Sequence, residues 1–146
     1  MSIPLRKGRL LPGFVPLKFV QLCIRIVPVT MVMGTIFLLS HQTGDSIDLP
    51  SFPGADKVAH MIAYGALALS LLWYFGKKGA EQMLRTALFT VVLCLLYGMS
   101  DEFHQSFIPL RSVSALDIVA DTAGALIVVC IWFYSDWVRQ KISVII

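Results

Sequence analysis

Four apolar stretches, each close to twenty residues long, dominate this 146-residue chain and restrict what it can fold into. They run over about 19–40, 58–76, 84–100 and 116–135. A helix needs about 20 mostly apolar residues to cross the hydrocarbon core of a bilayer, and lengths of roughly 17–25 serve. Composition agrees: 57% of residues are hydrophobic and 14% charged, against about 25% charged in soluble domains. With a mean hydropathy of +0.77, most of the surface must face something other than water. The first stretch contains Arg25 and Pro28; Arg25 lies near its start, where a long side chain can snorkel to the headgroups. The basic region before it is long, and "FLLSHQTGD" offers no small-x-small cleavage site, so the segment reads as an anchor rather than a signal peptide. The expected fold is an all-α integral membrane bundle of four transmembrane helices. Connections of about 8–17 residues make successive helices antiparallel neighbours.

Lysine and arginine counts orient the bundle, because positive charge collects on the cytoplasmic side. Arg6, Lys7, Arg9, Lys18, Arg25, Lys77, Lys78, Arg85, Arg139 and Lys141 fall on one side, and only Lys57 and Arg111 on the other. Both termini and the 77–85 connection should therefore be cytoplasmic, with 41–57 and 101–115 facing outward. Trp73, Tyr74, Trp132 and Tyr134 sit near span ends, as interfacial aromatics do. The organisation expected is a basic arm over 1–18, a four-helix membrane domain over 19–135 and a short cytoplasmic tail over 136–146. Seven of the nine acidic residues take the outer side; Glu81 and Asp136 take the inner. Acidic residues do not set topology, so this split needs its own explanation.

The explanation lies in "YGMSDEFHQSFIPLR", Tyr97 to Arg111, at the mouth of the third stretch. In the second helix Lys57, His60 and Tyr64 are spaced i, i+3, i+7 and share one stripe, with Asp56 four residues before His60. In the fourth, Asp117 and Asp121 are spaced i, i+4 on one face, Ser114 preceding and Gly124 following. The third helix, ending at Ser100, delivers Asp101, Glu102, His104 and Gln105 to the same level, and the first adds Ser40, His41 and Gln42. These positions lie within about two turns, roughly 10 Å, of the outer end. A carboxylate in hydrocarbon costs about 2.5–3.5 kcal/mol on insertion scales, so these side chains should face the bundle and pair with Lys57, Arg111 or a protonated histidine. The expected object is an acidic, hydrogen-bonded pocket capped by the Arg111 loop. Taken singly, most of these residues have bland roles: His60 a bundle hydrogen bond, Tyr64 core, Lys57 an interface anchor, Asp101 and Glu102 a solvated cap. Their agreement in depth favours a shared pocket. The small residues of "VADTAGA" and "AYGALALS" would let the helices approach closely.

"LSHQTG", "DKVAHMIAYGALALSLL" and "SDEFHQSFIPLRSVSALDIVADTAGALI" together resemble the VanZ-like family of small bacterial membrane proteins, named after a teicoplanin-resistance protein. The resemblance runs over about 36–128. The family pattern falls on Asp56, Lys57, His60, Tyr64, Ser100, Asp101, Glu102, Gln105, Arg111, Asp117, Asp121 and Gly124. This chain departs from it in having Asp121 where asparagine is common, and Pro109-Leu110-Arg111 where Pro-Gly-Arg is common. The first change puts an ionisable group in place of an amide. Leu110 implies a turn that depends less on a glycine conformation. The resemblance implies a multi-pass protein of the bacterial inner membrane, envelope-associated and linked to glycopeptide resistance.

The leading functional expectation is a pocket that binds or processes a lipid-linked or amphiphilic envelope ligand, such as a cell-wall precursor or an amphiphilic antibiotic. Its residues are Asp56, Lys57, His60, Tyr64, Asp101, Glu102, His104, Gln105, Arg111, Asp117 and Asp121. The alternative is a membrane enzyme using these groups for acid–base or metal-assisted chemistry on a lipid or wall precursor; the carboxylates with His60 or His104 nearby could ligate a hard divalent cation. No nucleophile elbow, HExxH or phosphate loop occurs. Cys23, Cys94 and Cys130 each lie alone, so neither a zinc motif nor a disulfide framework is present, and no metal or other cofactor is assigned. A proton-coupled transporter is disfavoured, since no inverted repeat is visible and the inner halves of the helices are plainly apolar. The basic residues read as topology signals and anionic-lipid contacts, so nucleic acid is not an expected partner; membrane lipids are, and further copies of the chain are open.

Overall fold

A computed structural model describes residues 17–44, 46, 50, 52–75 and 80–145. Most of the basic arm, with Asp45 and Asp48, lies outside them. The described residues form four helices and no strand: α1 Leu17–Ser40, α2 Ala55–Phe75, α3 Ala80–Gln105 and α4 Ala115–Ile145. All four are long and apolar enough to cross a membrane, over Phe19–Ser40, Ala55–Phe75, Gln82–Gln105 and Ala115–Ser135. Their outward faces carry Leu69, Leu88, Phe89, Ile131 and many other large apolar side chains, each more than half exposed. No water-soluble monomer tolerates apolar surface on that scale, and lipid is the solvent that does.

Two boundaries differ from expectation. The third helix does not stop at Ser100; it runs on to Gln105. Asp101 and Gln105, four residues apart, both turn inward and bond each other, at 3.0 Å, so the polar run is helical through Gln105 and becomes a turn only from Ser106. The fourth helix likewise continues past 135 to Ile145, through most of the segment expected as a tail.

Successive helices run antiparallel, which brings the ends of α1 and α3 and the starts of α2 and α4 to one end of the bundle. The most extensive contact is not between neighbours in sequence but between the parallel pair α2 and α4. Glycine permits it. A Cβ added at Gly124 would lie 2.1 Å from the backbone oxygen of Met61, and one at Gly65 3.5 Å from the backbone oxygen of Gly124. The core beneath this contact joins Tyr64, Leu67, Ala68 and Leu71 of α2 with Cys94 of α3, Ala125 of α4, and Val29 and Ile36 of α1. Helix α1 is the least embedded, with 11% of its apolar window buried against 33–39% for the others.

Candidate functional site

The end where α1 and α3 finish and α2 and α4 begin gathers nearly all the polar side chains singled out above. They divide into an open cleft, a buried ionic seam beside it, and one outlier. The cleft has a volume of about 140 Å³, and its polar lining is Ser40, Asp56, His60, Asp101, Gln105 and Arg111. Its apolar wall is Ile36 and Leu39 of α1 with Ala59, Ala63 and Tyr64 of α2. Across it, Ser40 donates to Asp101 Oδ2 at 2.9 Å, and Gln105 donates to the same oxygen at 3.0 Å. This buried triad joins the last turn of α1 to the last turn of α3. Tyr64 is fully buried, and its hydroxyl has no hydrogen-bond partner among the described residues.

The seam lies between α2, α3 and α4. Lys57 bridges Asp56, at 2.8 Å, and Asp117. His60 Nδ1 meets Asp121 Oδ1 at 2.9 Å; a carboxylate accepts, so Nδ1 carries the proton. Glu102 accepts the backbone N–H of Ser114 at 2.9 Å, directly before the first turn of α4. There, unsatisfied backbone N–H groups and the helix dipole favour negative charge. Asp56 and Asp117 occupy the first turns of α2 and α4 and gain from the same field. Asp101, Glu102, Asp117 and Asp121 are each 5% exposed or less. Within this seam His60, Glu102 and Asp117 each present one nitrogen or oxygen within 4.8 Å of the others.

His104 does not join the cleft or the seam. It stacks on Phe37, ring centroids 4.8 Å apart, and its Nε2 lies 3.3 Å from His41 Nδ1 on an exposed face. With α3 helical through Gln105, His104 falls about 200° around the axis from Glu102, which sends it outward.

Arg111 also differs in role. Its guanidinium donates to the backbone oxygens of Gln42 at 3.0 Å and Leu39 at 2.7 Å. It thereby closes the C-terminus of α1, where carbonyls lack partners and positive charge is favoured. The turn carrying it does require a left-handed residue: Leu110 has φ +60°, a conformation that costs a non-glycine residue about 1–2 kcal/mol. Leucine therefore replaces glycine in sequence while keeping a glycine conformation. Gly44 packs on this turn so closely that a Cβ would lie 1.8 Å from the Leu110 oxygen.

Gly98 escaped the reading of the sequence. A Cβ there would fall 2.8 Å from Asp121 Oδ2, so the missing side chain is what admits the Asp121 carboxylate against α3. An isolated glycine in an otherwise apolar helix was the available signal.

A family model described as VanZ/LLP1 matches residues 9–138. The chain belongs to the VanZ/LLP1 family. The match extends the resemblance on both sides of 36–128 and includes every member of the cleft and seam. Among relatives of this VanZ/LLP1 chain is the "Uncharacterized protein C11E3.10" of Schizosaccharomyces pombe, 30% identical over 99 residues, covering 66% of this chain and 57% of the relative. The chain thus spans little more than half the length of that protein. No solved structure matches.

Proposed function

We propose that this VanZ/LLP1 protein binds an amphiphilic, lipid-linked ligand of the cell envelope, taking its polar head into the cleft from the outer leaflet. The cleft carries this reading. It sets an apolar wall, Ile36, Leu39, Ala59 and Ala63, against a polar rim, His60, Asp101, Gln105 and Arg111, at one end of a membrane-spanning bundle. An amphiphile presents that same division of chemistry. Pockets of this kind fix orientation with a few polar groups and gain affinity from apolar contact. Arg111 spends two donors on the backbone oxygens of Leu39 and Gln42, and a guanidinium has five, which leaves others for an anionic head. The bias of lysine and arginine toward the opposite end supports an outward-facing cleft and cytoplasmic termini. A relative in Schizosaccharomyces pombe favours a membrane-lipid chemistry over a wall polymer particular to bacteria; a contribution to glycopeptide resistance would follow from handling lipid-linked wall precursors. The seam of His60, Glu102 and Asp117 favours processing over simple capture as the second reading, since those groups can move protons or hold a cation.

The test is mass spectrometry of lipids that co-purify with the full chain. A lipid-linked species should accompany the wild type and be depleted at least about tenfold in Ala59→Trp, which fills the cleft, and in Arg111→Ala. Equal lipid content in wild type and Ala59→Trp would refute the proposal. For orientation, Ser106→Cys in a background without Cys23, Cys94 and Cys130 should react with a membrane-impermeant thiol reagent on intact cells.

A further inference from the structure

We infer that His60, Glu102 and Asp117 form a binding site for one divalent metal cation in the seam, where His60 borders the cleft. Their ligand atoms lie within 4.8 Å of one another, while a cation about 2.0–2.2 Å from each would hold them about 3–4 Å apart, so a small contraction closes the set. Two observations beyond their proximity point to a cation. Glu102 is 2% exposed; its Oε2 takes the Ser114 N–H, while its Oε1 is buried with no hydrogen-bond partner among the described residues. A carboxylate oxygen left so is costly, and a cation is the partner that would satisfy it. His60 is the second. Its Nδ1–H is held by Asp121 at 2.9 Å, which leaves Nε2 as an unprotonated donor and reproduces the carboxylate–histidine–metal arrangement of ligating imidazoles.

Charge and donor type select the ion. Among the described residues at this end, five carboxylates (Asp56, Asp101, Glu102, Asp117 and Asp121) face two fixed cations, Lys57 and Arg111. Arg111 is turned to backbone oxygens. Lys57 engages Asp117 through Oδ1 only, leaving Oδ2 for the metal. One imidazole with two carboxylates and no thiolate suits a first-row divalent ion such as Mn²⁺ or Zn²⁺. Three protein ligands leave positions open for water and for an anionic oxygen; assigning that oxygen to a ligand's head group rests on the cleft reading, whereas the metal site itself does not.

The full chain, stripped with EDTA in mild detergent and titrated with Mn²⁺ alone, should bind about one ion per chain. Electron spin-echo spectroscopy of the bound Mn²⁺ should show coupling to an imidazole ¹⁴N that is lost in His60→Gln. Glu102→Gln and Asp117→Asn should each weaken binding at least about 100-fold. Asp121→Asn should weaken it about 10–100-fold through the orientation of His60. His104→Gln, on the opposite face of α3, should bind within about twofold of wild type. Saturable binding absent from a monodisperse wild type would overturn the site, and so would bound Mn²⁺ with no nitrogen coupling, since neither result depends on a variant folding. Loss of binding in His104→Gln would assign the ion to the His41–His104 pair and overturn it equally. A wild type that carries lipid in EDTA yet takes up no Mn²⁺ would sink the cation site and spare the cleft; the reverse pattern would sink the cleft and spare the cation.

Discussion

Replacing Gly124 by alanine tests the contact on which the site is built. The added Cβ would lie 2.1 Å from the Met61 oxygen and 2.8 Å from its carbonyl and α carbons. These are backbone atoms of α2, so no side chain can swing aside. An ordinary carbon–oxygen approach is about 3.3 Å, so the two helices must separate by about 1.2 Å. That displacement would carry His60 Nδ1 from 2.9 Å to about 4 Å from Asp121, beyond hydrogen-bond reach. Overpacking costs about 1–3 kcal/mol, and a lost hydrogen bond to a charged group about 1.5–3 kcal/mol. The expected loss is about 3 kcal/mol or more, a factor above 100 in the unfolding constant. Gly34→Ala is the control, because a Cβ at Gly34 meets nothing within 4 Å; better helix propensity should make it neutral or stabilising by up to about 1 kcal/mol. Both variants should be unfolded by titrating sodium dodecyl sulfate into mild detergent and following tryptophan fluorescence. A Gly124→Ala protein as stable as Gly34→Ala would refute the close approach of α2 and α4.

Lys57→Met leaves Asp117, whose side chain is 7% exposed, without its cation. Because Lys57 itself is 29% exposed, the expected cost is about 2–3 kcal/mol rather than the full value for a buried pair. Adding Asp117→Asn should recover more than half of it in the same titration. Leu110→Val should cost about 1 kcal/mol, since a branched β carbon resists φ +60°. Leu110→Gly should be neutral or stabilising by up to about 1 kcal/mol; a Leu110→Gly protein clearly less stable than wild type would show that the turn is not strained.

The four spans were legible because lipid-facing helices need only length and apolarity, and every run had both. The common depth of the polar residues was legible too, since helical spacing converts sequence offset into height and face. Which groups bond was not. Asp101 finds Ser40 of α1, Asp121 finds His60 of α2, and Glu102 finds the Ser114 N–H; these partners depend on how the helices are rotated, and apolar runs with little amphipathic bias do not fix rotation. His104 was misassigned because ending the helix at Ser100 removed the geometry that turns it outward. Arg111 was expected to pair with the pocket carboxylates because the backbone oxygens of Leu39 and Gln42 that it bonds leave no trace in a sequence. Leu110 misled for a related reason: residue type reports a preference, whereas the packing of Gly44 against the turn imposes the conformation.

The apolar wall of the cleft has an energetic consequence for anything greasy that visits it. Ile36, Leu39, Ala59 and Ala63 belong to membrane-spanning stretches, so a hydrocarbon chain whose head enters there can stay among its fellow lipids. Pulling such a chain into water would cost about 0.8 kcal/mol per methylene, more than 10 kcal/mol for a tail of about sixteen carbons. A bundle this small could not supply that from a handful of polar contacts, so the binding proposed above asks only that the head enter while the tail stays in the bilayer.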